Sequence, residues 1–165
     1  MENEALSTEQ LERLAKQHPS LSTYYVGVYA ADTLPKTPWY RCPQAYIVNT
    51  DPKHRSGRHW IALWTDGDII QLMDSYGLPL AAHQTPHLQT WLRKHFQVIE
   101  SNTKSLQALD SATCGHYALK FLIERSEGRT FNQFLSQFTG RDYVKNDRKV
   151  ARWMTKQMKR QVYQE

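Results

Sequence analysis

The sequence predicts an α+β domain, in which strands in the middle of the chain are flanked by helices on both sides. Short runs rich in β-branched and aromatic residues lie between residues 24 and 74, and apolar residues at helical spacing precede and follow them. A nearly all-apolar helix is predicted to begin at Cys114 and to lie at the centre of the core. With 165 residues, the chain is expected to form one domain over 1–165.

The first half of the chain predicts one helix followed by four strands. Ser7 opens a capping-box pattern ahead of leucines at helical spacing, and a His-Pro pair ends that helix. A strand is expected near 24–30, followed by a Pro-rich loop. Three more strands are expected in QAYIVNT, RHWIALWT and DIIQLMD, with a tight hairpin turn at Asp66-Gly67.

The second half is mostly helical. TPHLQTWLRKHF predicts a short helix, and HFQVIES predicts one more strand. Helices then follow from Cys114 to about residue 126, where Gly128 ends the pattern, and in the Thr130-capped run FNQFLSQF, ended by Gly140. The last element is a long basic helix at about 146–162.

The absence of an export signal and the few cysteines indicate a protein that acts inside a cell. No window resembles an export signal or a membrane span, so no membrane partner is expected. Two cysteines, Cys42 and Cys114, are too few for a disulfide framework or a zinc site. Cys42 could be buried, idle, or able to link a peptide through a disulfide.

The positive charge is concentrated at the C-terminus. From Arg141 onward eight Lys or Arg face three acids, which accounts for the whole net charge of +5. A stripe of mostly apolar residues lets this helix dock with a solvated charged face, which is the simpler interpretation. The alternative is binding to nucleic acid. The residues that would then contact phosphate are Arg148, Lys149, Arg152, Lys156, Lys159 and Arg160.

Cys114 lies at the first turn of its predicted helix. A helix N-terminus favours an anion, so a thiolate nucleophile is one interpretation of this position. Small residues around it, Gly115 among them, would let a substrate backbone approach. The other interpretation is a small hydrophobic residue of the core.

Three polar residues could complete a nucleophilic site around this thiol. His59, at the start of an apolar strand, is a candidate general base, or a strand-end histidine bonded to a carbonyl. Asp74 follows 15 residues later and could orient the imidazole, or only cap its strand. Gln107 stands seven residues before Cys114 and could stabilise an oxyanion, or be a solvated loop residue.

Together these residues resemble the adenovirus protease (adenain) and SUMO/ubiquitin-like protease group of cysteine peptidases. GRHW, MDSYG and LQALDSATCGHYALKFL are similar to the group's histidine, acidic and Gln-to-Cys segments, and the resemblance spans about 24–125. It implies a papain-like α+β fold with a small central mixed sheet. It also implies His59 as base, Asp74 as orienting residue, Cys114 as nucleophile, and Gln107 with the Cys114 N–H as oxyanion hole. Adenain has Glu at the orienting position, whereas ubiquitin-like proteases have Asp.

The resemblance implies a thiol endopeptidase that cleaves after glycine, with Trp60 and Gly115 lining a narrow substrate cleft. The favoured interpretation is a viral or mobile-element maturation protease that acts on structural precursor proteins. Such a protease is expected to be a monomer in the host nucleus or cytoplasm, and also in the virion. A ubiquitin-like-protein isopeptidase and a non-catalytic nucleic-acid-binding module are the alternatives. No cofactor or metal is expected to be required, although an activating peptide or DNA is compatible with the resemblance.

Overall fold

A five-stranded mixed sheet forms the centre of the protein in a computed structural model, which describes residues 4–36, 43–50, 59–82 and 86–162. The strands follow one another in space as in the sequence. The outer pairs are parallel and the two inner pairs are antiparallel. The strands are β1 (Tyr25–Ala30), β2 (Gln44–Asn49), β3 (Trp60–Thr65), β4 (Ile69–Met73) and β5 (Val98–Ser101). The predicted α+β class with a small mixed sheet is confirmed.

Five helices accompany the sheet, close to the predicted positions. They are α1 (Thr8–Gln17), α2 (Pro86–His95), α3 (Cys114–Ser126), α4 (Phe131–Leu135) and α5 (Tyr143–Val162). The capping box of α1 forms as predicted, with Ser7 and Gln10 bonded reciprocally. Most of the Pro-rich loop, including Cys42, and the segment DPKHRSG lie outside the described residues.

Two helix boundaries differ from the prediction. Helix α4 ends at Leu135 instead of continuing to residue 138, because the next backbone bonds, from Gln137 to Phe134 and from Phe138 to Leu135, span only three residues. Helix α5 begins at Tyr143 instead of about 146. Asp142 lies just before it, and its carboxylate accepts from the Lys145 N–H at 3.0 Å.

Each face of the sheet is covered by its own apolar core. Alternate residues of the central strands point to opposite faces, so Ile47 and Trp64 pack with α1, α3, α4 and α5, whereas Val48 and Leu63 pack with α2. Both faces are therefore buried, and β3 is buried along its whole length.

Helix α3 is the central helix on the face of the sheet that α1, α3, α4 and α5 cover. Its residues from Cys114 to Glu124 are all buried, and it packs on β3, α1, α4 and α5. This explains the nearly complete lack of a polar face in its sequence. The packing fixes the N-terminal turn of α3, and with it Cys114, against the start of β3.

Candidate active site

The start of β3 and the end of β4 bring His59 and Asp74 together. The two strands are antiparallel neighbours with Ala62 opposite Met73, so residues just before β3 and just after β4 lie side by side. His59 Nε2 is 2.7 Å from Asp74 Oδ1. Asp74 is fully buried, so its carboxylate interacts with the imidazole in a low-dielectric environment.

Backbone and side-chain bonds hold the Asp74 carboxylate in place. Its Oδ1 also accepts from the Tyr76 N–H at 2.8 Å, which is the strand-end role considered for this residue. Asn102, buried after β5, accepts from the Asp74 N–H at 2.9 Å and donates to the Asp74 carbonyl at 2.6 Å. This bracing by Asn102 was not predicted, because it depends on the parallel pairing of β4 and β5.

The Cys114 thiol lies beside the imidazole at the first residue of α3. The Trp60 N–H donates to Cys114 Sγ at 3.4 Å. Burial by itself lowers the pKa of His59, but hydrogen bonds to Asp74 and Cys114, together with the charges of those two groups, raise it to about 9. Because Nε2 is bonded to Asp74, Nδ1 is the ring nitrogen left for the thiol. The interactions with Asp74 and Cys114 therefore favour the protonated imidazole.

Tyr76 contacts both His59 and the loop that precedes Cys114. Its ring lies against the His59 ring, with centroids 4.9 Å apart and planes 30° apart. Its hydroxyl is 3.4 Å from the carbonyl oxygens of Leu109 and Ser111, in the loop before α3. Sequence reasoning missed this residue, although it lies inside the MDSYG segment.

Gln107 is a fixed, buried residue and not a solvated one. Only 1% of its surface is exposed. Its Oε1 accepts from the Ser75 hydroxyl, and its Nε2 donates to the Ser111 carbonyl at 2.8 Å. The Ser75 carbonyl accepts from the backbone N–H groups of Leu106 and Gln107 at 2.7 and 3.1 Å. An amide nitrogen carries two hydrogens, so one donor remains beyond the bond to Ser111 among the described residues.

Gly115 and Trp60 contact each other on the interior side of α3. A Cβ placed on Gly115 would lie 3.3 Å from Trp60 Cδ1 and 3.4 Å from Leu6 Cβ. Trp60 is 7% exposed and belongs to the core that includes α3. Close packing is thus one reason for glycine here, and the substrate contacts expected of both residues stay a prediction.

The basic residues of α5 line one side of a groove of about 900 Å³, opposite residues of α3 and of the segment around α4. Eight cationic and three acidic side chains line it. The cations are Lys120, Arg129, Lys145, Arg148, Lys149, Arg152, Lys156 and Arg160. Five of the six predicted phosphate-binding residues are in this list, and Lys159 is not. The buried stripe of α5 includes Val150 and Met154, as the docked-helix interpretation requires.

Neither a metal centre nor a membrane span is found in the part of the chain that the structure describes. No group of three or more His, Cys, Asp or Glu side chains there could hold a metal ion. No helix there is long and apolar enough to cross a bilayer.

The mixed sheet and its flanking helices have the papain-like fold of the SUMO/ubiquitin-like protease (adenain-like) type. Two crystal structures of the ASFV pS273R protease are similar to this chain. They have TM-scores of 0.54, for a Se-Met form, and 0.55. Each is 16% identical and covers 91% of this chain and 68% of the other chain.

The likeness lies in the fold, which confirms the fold class and the type of fold implied by the sequence resemblance. Cysteine proteases of this fold need no cofactor. No family model and no curated protein matches the sequence.

Proposed function

We propose that this protein is a cysteine endopeptidase. The observation that carries the proposal is the Cys114 thiol at the start of a buried helix, beside an imidazole that is bonded at 2.7 Å to a fully buried carboxylate. A cysteine needs an adjacent base to act as a nucleophile, and this arrangement supplies one.

The residues divide the reaction between them. The Cys114 thiolate attacks the peptide carbonyl carbon, and the carbonyl oxygen becomes an oxyanion that the Gln107 amide and the Cys114 N–H stabilise. The His59 imidazolium then gives its proton to the leaving amine, which yields a thioester and a neutral imidazole. A water molecule gives a proton to His59 as it attacks the thioester. The acid product leaves, and the thiolate and imidazolium are restored.

The finer proposal is cleavage after glycine, inside a cell, by a monomeric maturation protease that acts on structural precursor proteins of a virus or mobile element. It is supported by the fold shared with the ASFV pS273R protease and by the Gln-to-Cys segment. A ubiquitin-like-protein isopeptidase has the same proposed chemistry. Reaction with a ubiquitin-like protein that carries a C-terminal electrophile, and no cleavage of peptides, would favour that alternative.

The test is hydrolysis of two peptides that differ only in Gly or Val before the scissile bond. We expect turnover of the Gly peptide, none with Cys114→Ala, and about a hundredfold loss of kcat with Gln107→Ala. Cys42→Ser is the matched control and should keep full activity. Iodoacetamide should modify Cys114 well below pH 8. Equal turnover of both peptides would refute glycine specificity, and an inert Cys114 would refute catalysis.

Nucleic acid is proposed as a second ligand, because the basic groove between α3 and α5 concentrates eight cations around a space of about 900 Å³. The floor of the groove contains Lys120, which is 5% exposed and is bonded to Glu124 and, at 2.7 Å, to Gln137 Oε1. The cations of α5 extend from this floor to the surface, where phosphates could reach them.

Salt dependence tests this ligand. If about five phosphates are contacted, affinity for a DNA duplex should fall at least tenfold when salt is raised from about 50 to about 200 mM. Replacing Arg148, Arg152 and Lys156 by Gln should weaken binding and flatten this dependence. Lys159→Gln, outside the groove, is the matched control and should change both much less. Salt-independent binding, or equal effects of the two variants, would contradict the groove as the site.

A further inference from the structure

A buried carboxylate from α5 lies against segment 108–113, the loop between Gln107 and Cys114. Asp147 is 6% exposed. Its Oδ2 accepts from the Ala108 N–H at 3.2 Å, next to Gln107. Its Oδ1 accepts from the hydroxyl of Thr113, which precedes Cys114, at 3.1 Å. One carboxylate therefore joins both ends of the segment.

Burial of the Asp147 carboxylate is expected to cost folding free energy. A carboxylate removed from water costs free energy unless hydrogen bonds or an opposite charge compensate for it. No Lys, Arg or His in the described part of the chain forms an ion pair with Asp147. Its third bond is from the Tyr117 hydroxyl at 2.8 Å. Burial and this bond raise the pKa of Tyr117, so the phenol stays protonated as a donor.

The bond to Thr113 changes how α3 begins. Thr113 is the N-cap residue of α3, where a threonine hydroxyl ordinarily accepts from a backbone N–H of the first turn. Here the Thr113 side chain makes no such bond, and its hydroxyl contacts Asp147 and, at 3.0 Å, Ser111 Oγ. The Thr113 hydroxyl is thus engaged by Asp147 and Ser111 and does not cap the first turn of α3.

Asn146, the preceding residue of α5, acts on the other side of Gln107. It is 2% exposed, and its Nδ2 donates to the Leu106 carbonyl at 3.0 Å. Consecutive residues of α5 therefore fix the backbone on both sides of Gln107. Ser75 fixes the Gln107 backbone and side chain from the opposite direction.

We propose that Asp147 is a positioning residue for peptide hydrolysis at Cys114. It holds segment 108–113 at both ends, so that the Gln107 amide and the Cys114 N–H point to one oxyanion. This inference rests on the proposed endopeptidase function and assigns a second use to the basic helix.

The experiment compares Asp147→Ala with Glu124→Ala in the full chain. Glu124 is the matched control, because it is another buried carboxylate with three hydrogen-bonded partners, far from the Cys114 end of α3. For Asp147→Ala we expect kcat on the Gly peptide to fall about tenfold to a hundredfold, with KM within about twofold. Iodoacetamide alkylation of Cys114 should change less than about threefold, because it forms no oxyanion. Hydrogen exchange should accelerate in 106–113.

Three outcomes separate the inference from the function on which it rests. Wild-type kcat in a folded Asp147→Ala, or an equal loss of kcat in Glu124→Ala, overturns the positioning role alone. No peptide cleavage by the wild type overturns the endopeptidase proposal, and this inference with it. If Asp147→Ala does not fold, Thr113→Val and Tyr117→Phe each remove one hydrogen bond to Asp147. A fall in kcat of about threefold or more with unchanged alkylation supports the role, and unchanged kcat in both overturns it.

Discussion

At the residue scale, the surroundings of His59 raise its pKa, whereas those of a neighbouring histidine lower it. Two histidines near the start of α3, the buried His116 and the partly buried His59, have pKa values shifted in opposite directions. Burial lowers the pKa of His116 to about 4, so that imidazole is neutral at pH 7. In His59 the Asp74 and Cys114 interactions outweigh burial and raise the pKa to about 9. In the proposed mechanism, the proton on His59, next to the sulfur, is the one given to the leaving amine.

The pH dependence of catalysis should report the Asp74–His59 pair. The imidazolium form is present below a pKa of about 9 and is lost above it, so kcat/KM of the wild type should fall on the alkaline side near pH 9. Asp74→Asn removes the charge that raises this pKa, so the alkaline limb should move to lower pH. Activity at pH 7 should also fall, by about a hundredfold or more.

A pH profile of kcat/KM measured with the Gly peptide checks this expectation. Asp68→Asn is the matched control, because Asp68 is exposed just before β4, at the end of the strand opposite Asp74, and should leave the limb in place. An Asp74→Asn profile with the wild-type alkaline limb would show that this carboxylate does not set the protonation of His59.

At the scale of single elements, the turn after β4 positions the side chains of Asp74, Ser75 and Tyr76 at the candidate active site. The Gly77 N–H donates to the Asp74 carbonyl at 2.8 Å, so residues 74–77 form a tight turn that presents Ser75 to Gln107 and Tyr76 to His59. Gly77 has φ +64°, and a Cβ there would lie 2.4 Å from the Lys104 carbonyl carbon. Only glycine fits this turn without moving the loop that leads to Gln107.

Elements with a strong local pattern were predictable from the sequence, whereas the distant residues that hold the candidate site in place by hydrogen bonds were not. The apolar run of α3 and the capping box of α1 carry their signal within a few residues. Cys114 stood out for the same reason, as a thiol at a predicted helix start. Asn102 and Asp147 gave no such signal, because their partners lie 28 and 39 residues away along the chain. Their contacts exist only once the sheet and α5 have assembled.

At the scale of the whole molecule, the sheet divides the interior into two cores, which differ in their relation to the candidate active site. Helices α1, α3, α4 and α5 share one core, which includes Cys114, and α2 covers the other face of the sheet with a second core. The central strands contribute alternate residues to both. Both cores should support folding, but only the first contains α3, whose first residue is the proposed nucleophile.

A matched pair of cavity substitutions tests this division. Leu92 on α2 and Leu119 on α3 are both fully buried, one in each core, so Leu→Ala at either position should lower the free energy of unfolding by about 2 to 5 kcal/mol. Leu119→Ala should also lower kcat, because a cavity beside α3 loosens the support of Cys114. Leu92→Ala should leave kcat within about twofold below its unfolding temperature. Urea unfolding and peptide hydrolysis measure the two effects, and an equal loss of kcat in both variants would mean that the two cores are not independent supports of the site.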